Sequence, residues 1–545
     1  MNKKGFTLIE LMAVIIVLIL IFLISVPVVS NITSSSKKSA AKTNTLNYID
    51  ALETDNLDLE SGIYEVSEIE VEVKGKRPSS GTITIDKGNV EEATLCMNGY
   101  KVNYNGKEAT IGDKCSNEEM KPKYKESSLN GTDPVLKDDM IAVTIGNDGT
   151  VKKANTKSEW YNYEDKKWAN AVVLVDDTNY NVGDTIPEEK IKAYYVWIPR
   201  YKYKLFSNTT ESTIEIAFEN KNTEKSEGTQ VGEYRSHPAF TYGNKELNGF
   251  WVGKFEPSVE TSDACYTIRN TASCDKVLNN VKIIPNVFSL VSQRAATQYQ
   301  TALNISTNSK MIKNDEWGAV AYLSHSRYGI NNEIRINNNN RCKTGCGAST
   351  AHATVSTECQ IAYGSATSYP QSTTGNIYGI FDMSGGAWEY VMASFADKNG
   401  KGTGGECEVT NSGFNGIYTN LSYPGNNSDS TELTTGIDYP NSKEYNLFYN
   451  PNDTTNNRTN TTVYNSCNGG ICYGHALSEV VKGSETINGT ESRNGWYGNV
   501  SQFRYTDSWI TRGSHFSKMQ GAGIFAFESH SGQGDANTSF RVVVR

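Results

Sequence analysis

The chain lacks an excess of positive charge. Its 545 residues carry 52 Lys and Arg against 61 Asp and Glu, which gives a formal net charge of −9 with no basic cluster. Because nucleic-acid binding depends on a positive surface that neutralises phosphates, this composition excludes nucleic acid as a partner. The 31 tyrosines and the abundant Asn, Gly, Ser and Thr are instead typical of an exported product.

The sequence also lacks the motifs of common metal and catalytic sites. No CxxC pair is present, and the set Cys342, Cys346, His352 and Cys359 only approximates a zinc site, because exported thiols are normally oxidised. No G-x-S-x-G elbow accompanies a plausible base. No EF-hand spacing is present either, so structural calcium stays an open alternative without assigned residues. Otherwise no cofactor and no metal are expected.

Cysteines are absent from the first 95 residues. Ten follow, an even number, and in an oxidising compartment disulfides are the default. Close neighbours favour local bridges, although sequence alone leaves the connectivity open. The candidate bridges are Cys96 with Cys115, Cys265 with Cys274, Cys342 with Cys346, Cys467 with Cys472, and Cys359 with Cys407.

Long apolar runs are missing after Val29, but one precedes it. Residues 6–29 are long enough to cross a hydrocarbon core of about 30 Å as a helix, and Lys3 and Lys4 would keep its start in the cytoplasm. A cleaved secretory signal is the alternative, but residues 25–30 fit a small-residue cleavage site poorly. The sequence predicts a single-pass membrane precursor whose remaining chain lies outside the cell.

Glu10 is the one carboxylate inside this run, where a lone charge costs about 2.5–3.5 kcal/mol and marks a functional position. The segment resembles the class III signal of type IV prepilins. That resemblance implies that a prepilin peptidase cuts after Gly5, that Phe6 becomes the methylated N-terminus, and that Glu10 neutralises the N-terminus of a neighbouring subunit. It also implies partnership with other pilins and with the membrane before assembly.

The predicted fold class is α+β, with a long N-terminal pilin helix and a small antiparallel sheet, followed by a large loop-rich domain. The predicted segments are a leader at 1–5, a transmembrane and assembly helix at 6–60, a small β-domain at 61–118, a polar linker at 119–134 and the large domain at 135–545.

Hydrophobic spacing predicts the elements within these segments. One helical face carries Leu46, Ile49, Leu52 and Leu57. Alternation and turn residues predict strands at Val66–Val73, Gly81–Asp86, Ala93–Met97, Tyr100–Tyr104, Trp160–Tyr163, Trp168–Val175, Tyr194–Phe206 and Gly249–Phe255.

Five ordered phrases of the large domain resemble the formylglycine-generating-enzyme (sulfatase-modifying factor) family. These phrases are Phe250–Glu256, Asp315–Ala321, Ile377–Tyr390, Arg512–Ser514 and Ser539–Val543. The resemblance implies a C-type-lectin-like fold in which a compact core supports extensive loops. Turn and core residues within these phrases are expected to be scaffold, namely Asp382, Gly385, Gly386, Trp388, Arg512, Gly513, Phe540 and Arg541.

The sequence departs from this family where its chemistry would lie. Copper-dependent members carry two cysteines just after their R-G-G phrase, which corresponds to Arg512–Ser514 here. Ser517 and Ala522 stand at about the places of those cysteines. A soft metal would therefore lack thiolate ligands. Related iron-dependent members need a histidine cluster, which the six histidines of this chain do not form by spacing. The chain is expected not to be an enzyme.

In the C-terminus, about 505–545, three frame segments, Ser508–Gly513, Gly521–Phe527 and Ser539–Val544, alternate with mixed sets of residues. This pattern resembles the variable repeat of diversity-generating retroelement target proteins, in which an invariant frame alternates with rewritten positions. Adjacent residues between the frame segments differ in charge and size without a helical or strand period. An ordinary solvated loop is the alternative, with Phe525 or Phe527 buried. The predicted ligand-binding residues are Tyr505, His515, Phe516, Ser517, Lys518, Met519, Gln520, Phe525, Glu528, Ser529, His530, Ser531, Gln533 and Asp535.

These features together predict a type IV pilus-associated adhesin, a minor or tip subunit, that displays a diversified, non-catalytic binding domain on the pilus or cell surface. Its ligand would be a cell-surface, phage or host molecule that the chain does not identify. The alternative is a structural pseudopilin of a secretion or DNA-uptake system, with the large domain as cap or spacer.

Overall fold

The computed structural model describes most of the chain in two units. The chain divides between Lys125 and Glu126, inside the segment predicted as a linker, and each unit has its own hydrophobic core. The described residues are 8–54, 62–66, 69, 71, 73–86, 89–115, 130–208, 213–267, 274–365, 369–396, 412–414, 437, 439–449, 460–482, 492–503, 507 and 509–545.

The first unit contains a helix, α1 (Leu8–Thr54), and a five-stranded antiparallel sheet with its strands in sequence order. Ile49 and Leu52 are buried against the sheet, as their spacing predicted, whereas Leu46 is 39% exposed. Leu57 lies outside the described residues. The strands are β1 (Gly62–Glu65), β2 (Ser80–Asp86), β3 (Asn89–Met97), β4 (Tyr100–Tyr104) and β5 (Ala109–Lys114).

The predicted α+β fold class is wrong, and α1 is not shown to be a pilin helix. Strands supply most of the regular structure that is described, and helices after Lys125 are at most 11 residues long. The side chains of α1 are described continuously only from Ser34 to Thr54, so the long apolar stem is not shown. Within the described part of the chain, no helix is both long and apolar enough to cross a membrane.

The second unit contains short strands and short helices joined by long loops. Its helices are α2 (Ala264–Thr267), α3 (Ala295–Ala302), α4 (Asn314–Ser324) and α5 (Asn460–Tyr464). Its strands are β6 (Met140–Ile145), β7 (Val151–Lys153), β8 (Asn170–Leu174), β9 (Thr185–Ile186), β10 (Ile191–Pro199), β11 (Tyr201–Lys204), β12 (Ile216–Phe218), β13 (Tyr234–Ser236), β14 (Thr241–Tyr242), β15 (Lys245–Glu246), β16 (Gly249–Gly253), β17 (Ser258–Val259), β18 (Val281–Lys282), β19 (Ser309–Met311), β20 (Trp388–Ala396), β21 (Asn446–Tyr449), β22 (Ser501–Gln502), β23 (Trp509–Arg512), β24 (Phe527–His530), β25 (Thr538–Phe540) and β26 (Val542–Val544).

Two sheets organise this unit. The larger has the order β19-β26-β16-β10-β8-β6-β7-β9, and its central strands β10 and β16 are buried along almost their whole length. This burial explains why both read as continuous apolar runs rather than alternating ones. The smaller sheet has the path β21-β20-β23-β24-β22, with β25 pairing β20. The C-terminal strand β26 lies between β16 and β19, so the end of the chain completes the larger sheet.

Several predicted elements differ from the structure. Strands occur close to the predictions at β2, β3, β4, β8 and β16, and the predicted 194–206 strand is divided between β10 and β11. The segment 160–163 forms no strand, and its one ladder contact is a bridge from Asn162 to Lys167. The described part of 66–73 is likewise not a strand. The segment 160–163 leads instead into a turn at 163–166.

Four disulfides are described, and one differs from the predicted pairing. Cys96–Cys115, Cys265–Cys274 and Cys467–Cys472 are as predicted. Cys346 pairs with Cys359 rather than with Cys342, which is buried, and Cys407 lies outside the described residues. The predictions for Cys342 with Cys346 and for Cys359 with Cys407 are therefore wrong. The close sequence spacing of Cys342 and Cys346 did not decide the pairing, because the loop brings residue 359 next to residue 346.

Candidate functional site

A tight turn at residues 382–386 supports the C-terminal segment. Asp382, Gly385 and Gly386 all have positive φ, between 63° and 74°. A Cβ at Gly386 would lie 2.7 Å from the Glu256 carboxylate, and one at Gly385 would lie 2.5 Å from the carbonyl oxygen of Asn337, so neither position accommodates a side chain. These contacts explain why the sequence has two glycines here.

The Asp382 side chain fixes this turn from within. Its carboxylate accepts hydrogen bonds from the Asn337 amide at 2.9 Å and from the Gly345 backbone N–H at 3.0 Å. Burial raises the pKa of Asp382 to about 6. The predicted scaffold position therefore makes structural hydrogen bonds and is closed to solvent.

Arg541 is the cation of a fully buried cluster of acidic residues. Its guanidinium forms a bidentate ion pair with Glu389 and donates to the carbonyl oxygens of Gly253 at 2.8 Å and Phe381 at 3.0 Å. Burial raises the pKa of Glu389 to about 7, against the opposing effect of Arg541. This cluster connects β20, the 381 loop and the C-terminal strand. Removing one partner of the buried pair would leave the other charge uncompensated, which is costly.

Glu256 completes the cluster from the end of β16. It accepts from the backbone N–H of Ala387 at 3.0 Å and from the Ser289 hydroxyl. Burial raises its pKa well above the usual range, and the nearby carboxylates of Asp382 and Glu389 raise it further. The sequence analysis did not predict Glu256 as a framework residue, because nothing but its position at the end of the phrase Phe250–Glu256 indicated such a role.

Arg512 and Gly513 begin the segment that the framework presents. Both terminal nitrogens of buried Arg512 donate to the carbonyl oxygen of Ala476 at 3.1 Å, and the guanidinium lies 5.8 Å from the ring of Trp317. Burial lowers the pKa of Arg512 to about 9. The Gly513 carbonyl accepts from the Gly385 N–H at 3.1 Å. The other predicted scaffold residues, Trp388 and Phe540, are also buried.

The loop from β23 to β24 places six consecutive predicted ligand-binding residues at the surface. His515, Phe516, Ser517 and Lys518 are half-buried, Met519 is 39% exposed and Gln520 is exposed. The backbone N–H of Phe516 donates to the Gly386 carbonyl at 3.0 Å, which ties the loop to the 382–386 turn. We name residues 515–520 the presented segment.

A second group of predicted residues follows β24. His530, Ser531 and Asp535 are half-buried and Gln533 is exposed. The hydroxyl of Tyr390 contacts the His530 ring and donates to the Gln533 carbonyl at 2.9 Å. The Asp535 carbonyl accepts from the Ser292 N–H at 2.9 Å. This group therefore has accessible side chains on a backbone that the domain core holds in place.

Three predicted ligand-binding residues point into the protein. Phe525 is fully buried, with ring centroids 5.1 Å from Trp496 and 5.4 Å from His325. Glu528 is 8% exposed and Ser529 2% exposed, because β24 is paired on both sides. These three side chains pack within the framework, and ligand contact by them stays a prediction from sequence.

Four predicted residues cannot be compared with the structure. Gly5, Phe6 and Tyr505 lie outside the described residues. Glu10 belongs to α1, but its side chain is also outside what is described. Prepilin processing at Gly5 and Phe6 thus remains a prediction from sequence.

The residues at the family's copper position do not fit copper. Ser517 and Ala522 stand there; the Ser517 hydroxyl lies 3.2 Å from the His515 ring, and Ala522 packs among Ile336 and Ala348. A hydroxyl and a methyl group offer no soft ligand. In the described ranges, no three or more His, Cys, Asp and Glu side chains come together as a metal site. Structural calcium, for which the sequence assigned no residues, stays a prediction.

Sequence reasoning missed a buried polar cluster beside the framework. Glu479 accepts from the hydroxyls of Tyr203 at 2.7 Å and Tyr322 at 2.6 Å and from the Gly474 N–H at 2.6 Å. Burial raises its pKa to about 7. The two tyrosine partners are separated by 276 and 157 positions from residue 479, so no local pattern could reveal them.

Comparison with known proteins supports the resemblance of the large domain. Residues 244–445 match the family profile described as the sulfatase-modifying factor enzyme 1-like domain. The match includes the 382–386 turn and ends before the presented segment. Curated proteins give no significant match to the chain. The chain thus contains a domain similar to the sulfatase-modifying factor family, with a C-terminal segment beyond the matched part.

Proposed function

We propose that the protein is an exported, non-catalytic adhesin whose presented segment binds a ligand on another cell, a phage or a host. The observation that carries this proposal is the contrast across residues 512–525. Arg512 and Phe525 are fully buried at the two ends, whereas residues 515–518 between them are half-buried and Met519 and Gln520 are exposed. A fixed frame with an accessible, chemically mixed loop suits recognition.

Export rests on the disulfides. Four described bridges indicate an oxidising, extracellular environment. Pilus association rests on the N-terminal sequence, where Lys3, Gly5, Phe6 and Glu10 resemble a prepilin signal. We propose a precursor in the cytoplasmic membrane and then a minor or tip position among other pilins. The resemblance to retroelement variable proteins supports diversification of the segment.

The absence of activity is part of the proposal. The family's redox chemistry needs two thiols, and this chain has Ser517 and Ala522 at those positions. A purified chain that turned over a cysteine-containing peptide with copper would contradict this part.

Adhesion of producing cells to a fixed panel of probes tests the proposal. The panel contains immobilised mucin, a glycan array and whole bacterial cells. A variant with Lys518→Ala, Met519→Ser and Gln520→Ala should lose adhesion to the probe that the wild type binds. The matched control carries Lys245→Ala, Val231→Ser and Gln230→Ala, which alters exposed residues of similar types elsewhere.

The control should adhere as the wild type does. Equal adhesion of both variants would contradict a binding role for the presented segment. Pilus association is tested separately by determining the mature N-terminus, which should be N-methylated Phe6. Adhesion that survives deletion of 135–545 would instead favour the structural pseudopilin.

A further inference from the structure

A disulfide-closed loop lies beside the presented segment. We name residues 346–359, whose first and last members form the disulfide, the flanking loop. Ala348 of this loop belongs to a small apolar cluster with Ala522, and Ala353 packs against the same cluster. Because Ala522 follows the presented segment by two positions, the flanking loop borders the end of that segment.

The stretch that leads into the flanking loop contacts the start of the presented segment. Phe516 packs against a second small cluster that includes Cys342. The backbone of Gly386 joins the two stretches, since its N–H donates to the Asn337 carbonyl at 2.8 Å and its carbonyl accepts from the Phe516 N–H at 3.0 Å. Residues 337–353 are therefore held against both ends of the presented segment, and the two lie side by side.

Buried asparagines fix the backbone of the flanking loop. The Asn338 amide donates to the Thr354 carbonyl at 2.6 Å, and the Asn339 amide donates to the Thr357 carbonyl at 3.1 Å. The Ser356 N–H in turn donates to the Asn338 carbonyl at 2.9 Å. A backbone that is already ordered loses little entropy when a partner binds.

The side chains on this fixed backbone suit a protein partner. Val355 is 46% exposed, and Met519 of the presented segment is 39% exposed, so both stretches offer aliphatic surface. Lys518 and Glu358 place both signs of charge beside it, so charge favours neither an anion nor a cation. Aliphatic side chains among mixed polar ones are typical of protein interfaces, whereas a glycan offers mainly hydroxyl groups to polar partners.

The size of the surface points the same way. A specific protein interface uses about 20–30 residues on each side, and the presented segment supplies only a fraction of that number. The group around Asp535 borders the start of the segment, because the Ser292 N–H donates to the Asp535 carbonyl and Val291 lies in the cluster that Phe516 contacts. The flanking loop supplies the corresponding area at the other end.

We propose that the flanking loop and the presented segment form one continuous surface that binds a folded protein on the target cell. The flanking loop contributes a rigid part of this surface, and the presented segment contributes the rest. This inference rests on the proposed adhesin function and names the class of its partner.

Adhesion of cells that produce the full-length chain to whole bacterial cells tests the class of partner. Treating the bacterial cells with proteinase K should remove adhesion, because the partner is a protein. Treating them with periodate, which cleaves the vicinal diols of glycans, should leave adhesion unchanged. Loss of adhesion after periodate but not after proteinase K, or adhesion to the glycan array alone, would overturn the inference.

Two variants test the flanking loop itself against untreated cells. Val355→Arg places a bulky charge within the proposed surface and should lower adhesion about tenfold or more. The matched control, Val182→Arg, makes the same change at a valine that is 59% exposed between β8 and β9 and should adhere as the wild type does. The second variant, Thr354→Ala with Thr357→Ala, should also weaken adhesion, whereas its control, Thr185→Ala with Thr229→Ala, should not.

Thermal unfolding should be the same for all four variants and the wild type, because each changes only exposed side chains. If Val355→Arg fails to fold, the double threonine variant decides. Adhesion of a folded flanking-loop variant equal to that of its control would overturn the inference but leave a binding role for residues 515–520. Failure of the wild type to adhere to any probe would instead contradict the adhesin function and this inference with it.

Discussion

Replacing Arg541 by methionine tests the buried framework most sharply. The substitution removes the bidentate partner of Glu389 and the donors to the carbonyl oxygens of Gly253 and Phe381. Breaking a buried pair by removing one partner costs about 3–5 kcal/mol. The matched control, Arg327→Met, breaks an exposed pair with Glu164 whose side chains are 56% and 43% exposed, and should cost about 1 kcal/mol or less.

The penalty should depend on pH in a defined direction. Without Arg541, the pKa of Glu389 rises above its present value of about 7, so the folded variant binds a proton that the unfolded chain releases. The free energy of unfolding of the variant should therefore fall, relative to wild type, as pH increases above about 7, because only the wild-type Glu389 is ionised there. At pH 8 the added loss is at most about 1.4 kcal/mol, since it grows by that amount for each pH unit above about 7.

Urea denaturation followed by tryptophan fluorescence at pH 5 and pH 8 measures both effects. The two units of the chain can unfold separately, so the transition of the larger unit is the one analysed. A double variant, Arg541→Met with Glu389→Leu, should recover part of the stability because no buried charge is left unpaired. A penalty no larger than that of Arg327→Met, or one equal at both pH values, would refute the reasoning.

Three further predictions concern other parts of the large unit. Burial raises the pKa of Glu479 to about 7, so the free energy of unfolding should fall as pH rises from about 4.5 to 7. Glu479→Gln should remove this pH dependence in urea titrations, and an unchanged dependence would contradict the raised pKa. Phe525→Ala should lower the free energy of unfolding by about 3–5 kcal/mol, whereas half-buried Phe516→Ala should lower it by less than about 2 kcal/mol, and the reverse order in thermal unfolding would show that the loop is placed incorrectly. Non-reducing peptide mapping should find Cys346 linked to Cys359, and a peptide linking Cys342 to Cys346 would contradict the fold of that loop.

Sequence reasoning predicted elements that depend on local pattern. The strand at Tyr100–Tyr104 follows from an Asn-Gly turn and alternation, and the recognised phrase Asp315–Ala321 lies within α4. The 382–386 turn was predicted from its glycines, whose positive φ the structure contains. In each case the information lies within a few neighbouring residues.

Features that depend on distant contacts were not predicted. From sequence, Phe525 is a candidate surface residue, but in the structure Trp496 and His325 pack against it. Cys346 and Cys359 are 13 positions apart in sequence, and the loop between them brings the two together. Residues 241–244, 313–315 and 441–446 line one cleft, although these stretches share no sequence pattern. The α+β prediction failed because an apolar N-terminus dominated the interpretation of a chain whose described regular structure is mainly strands.

The most direct test of the central claim is a set of variants randomised only at the presented segment, residues 515–520, measured for both folding and adhesion. Thermal unfolding should stay close to that of the wild type across the set, because the frame around Arg512 and Phe525 is unchanged, while adhesion to the probe should vary widely among members. Widespread loss of folding, or adhesion that is the same throughout the set, would contradict the claim that a fixed frame presents a replaceable binding segment.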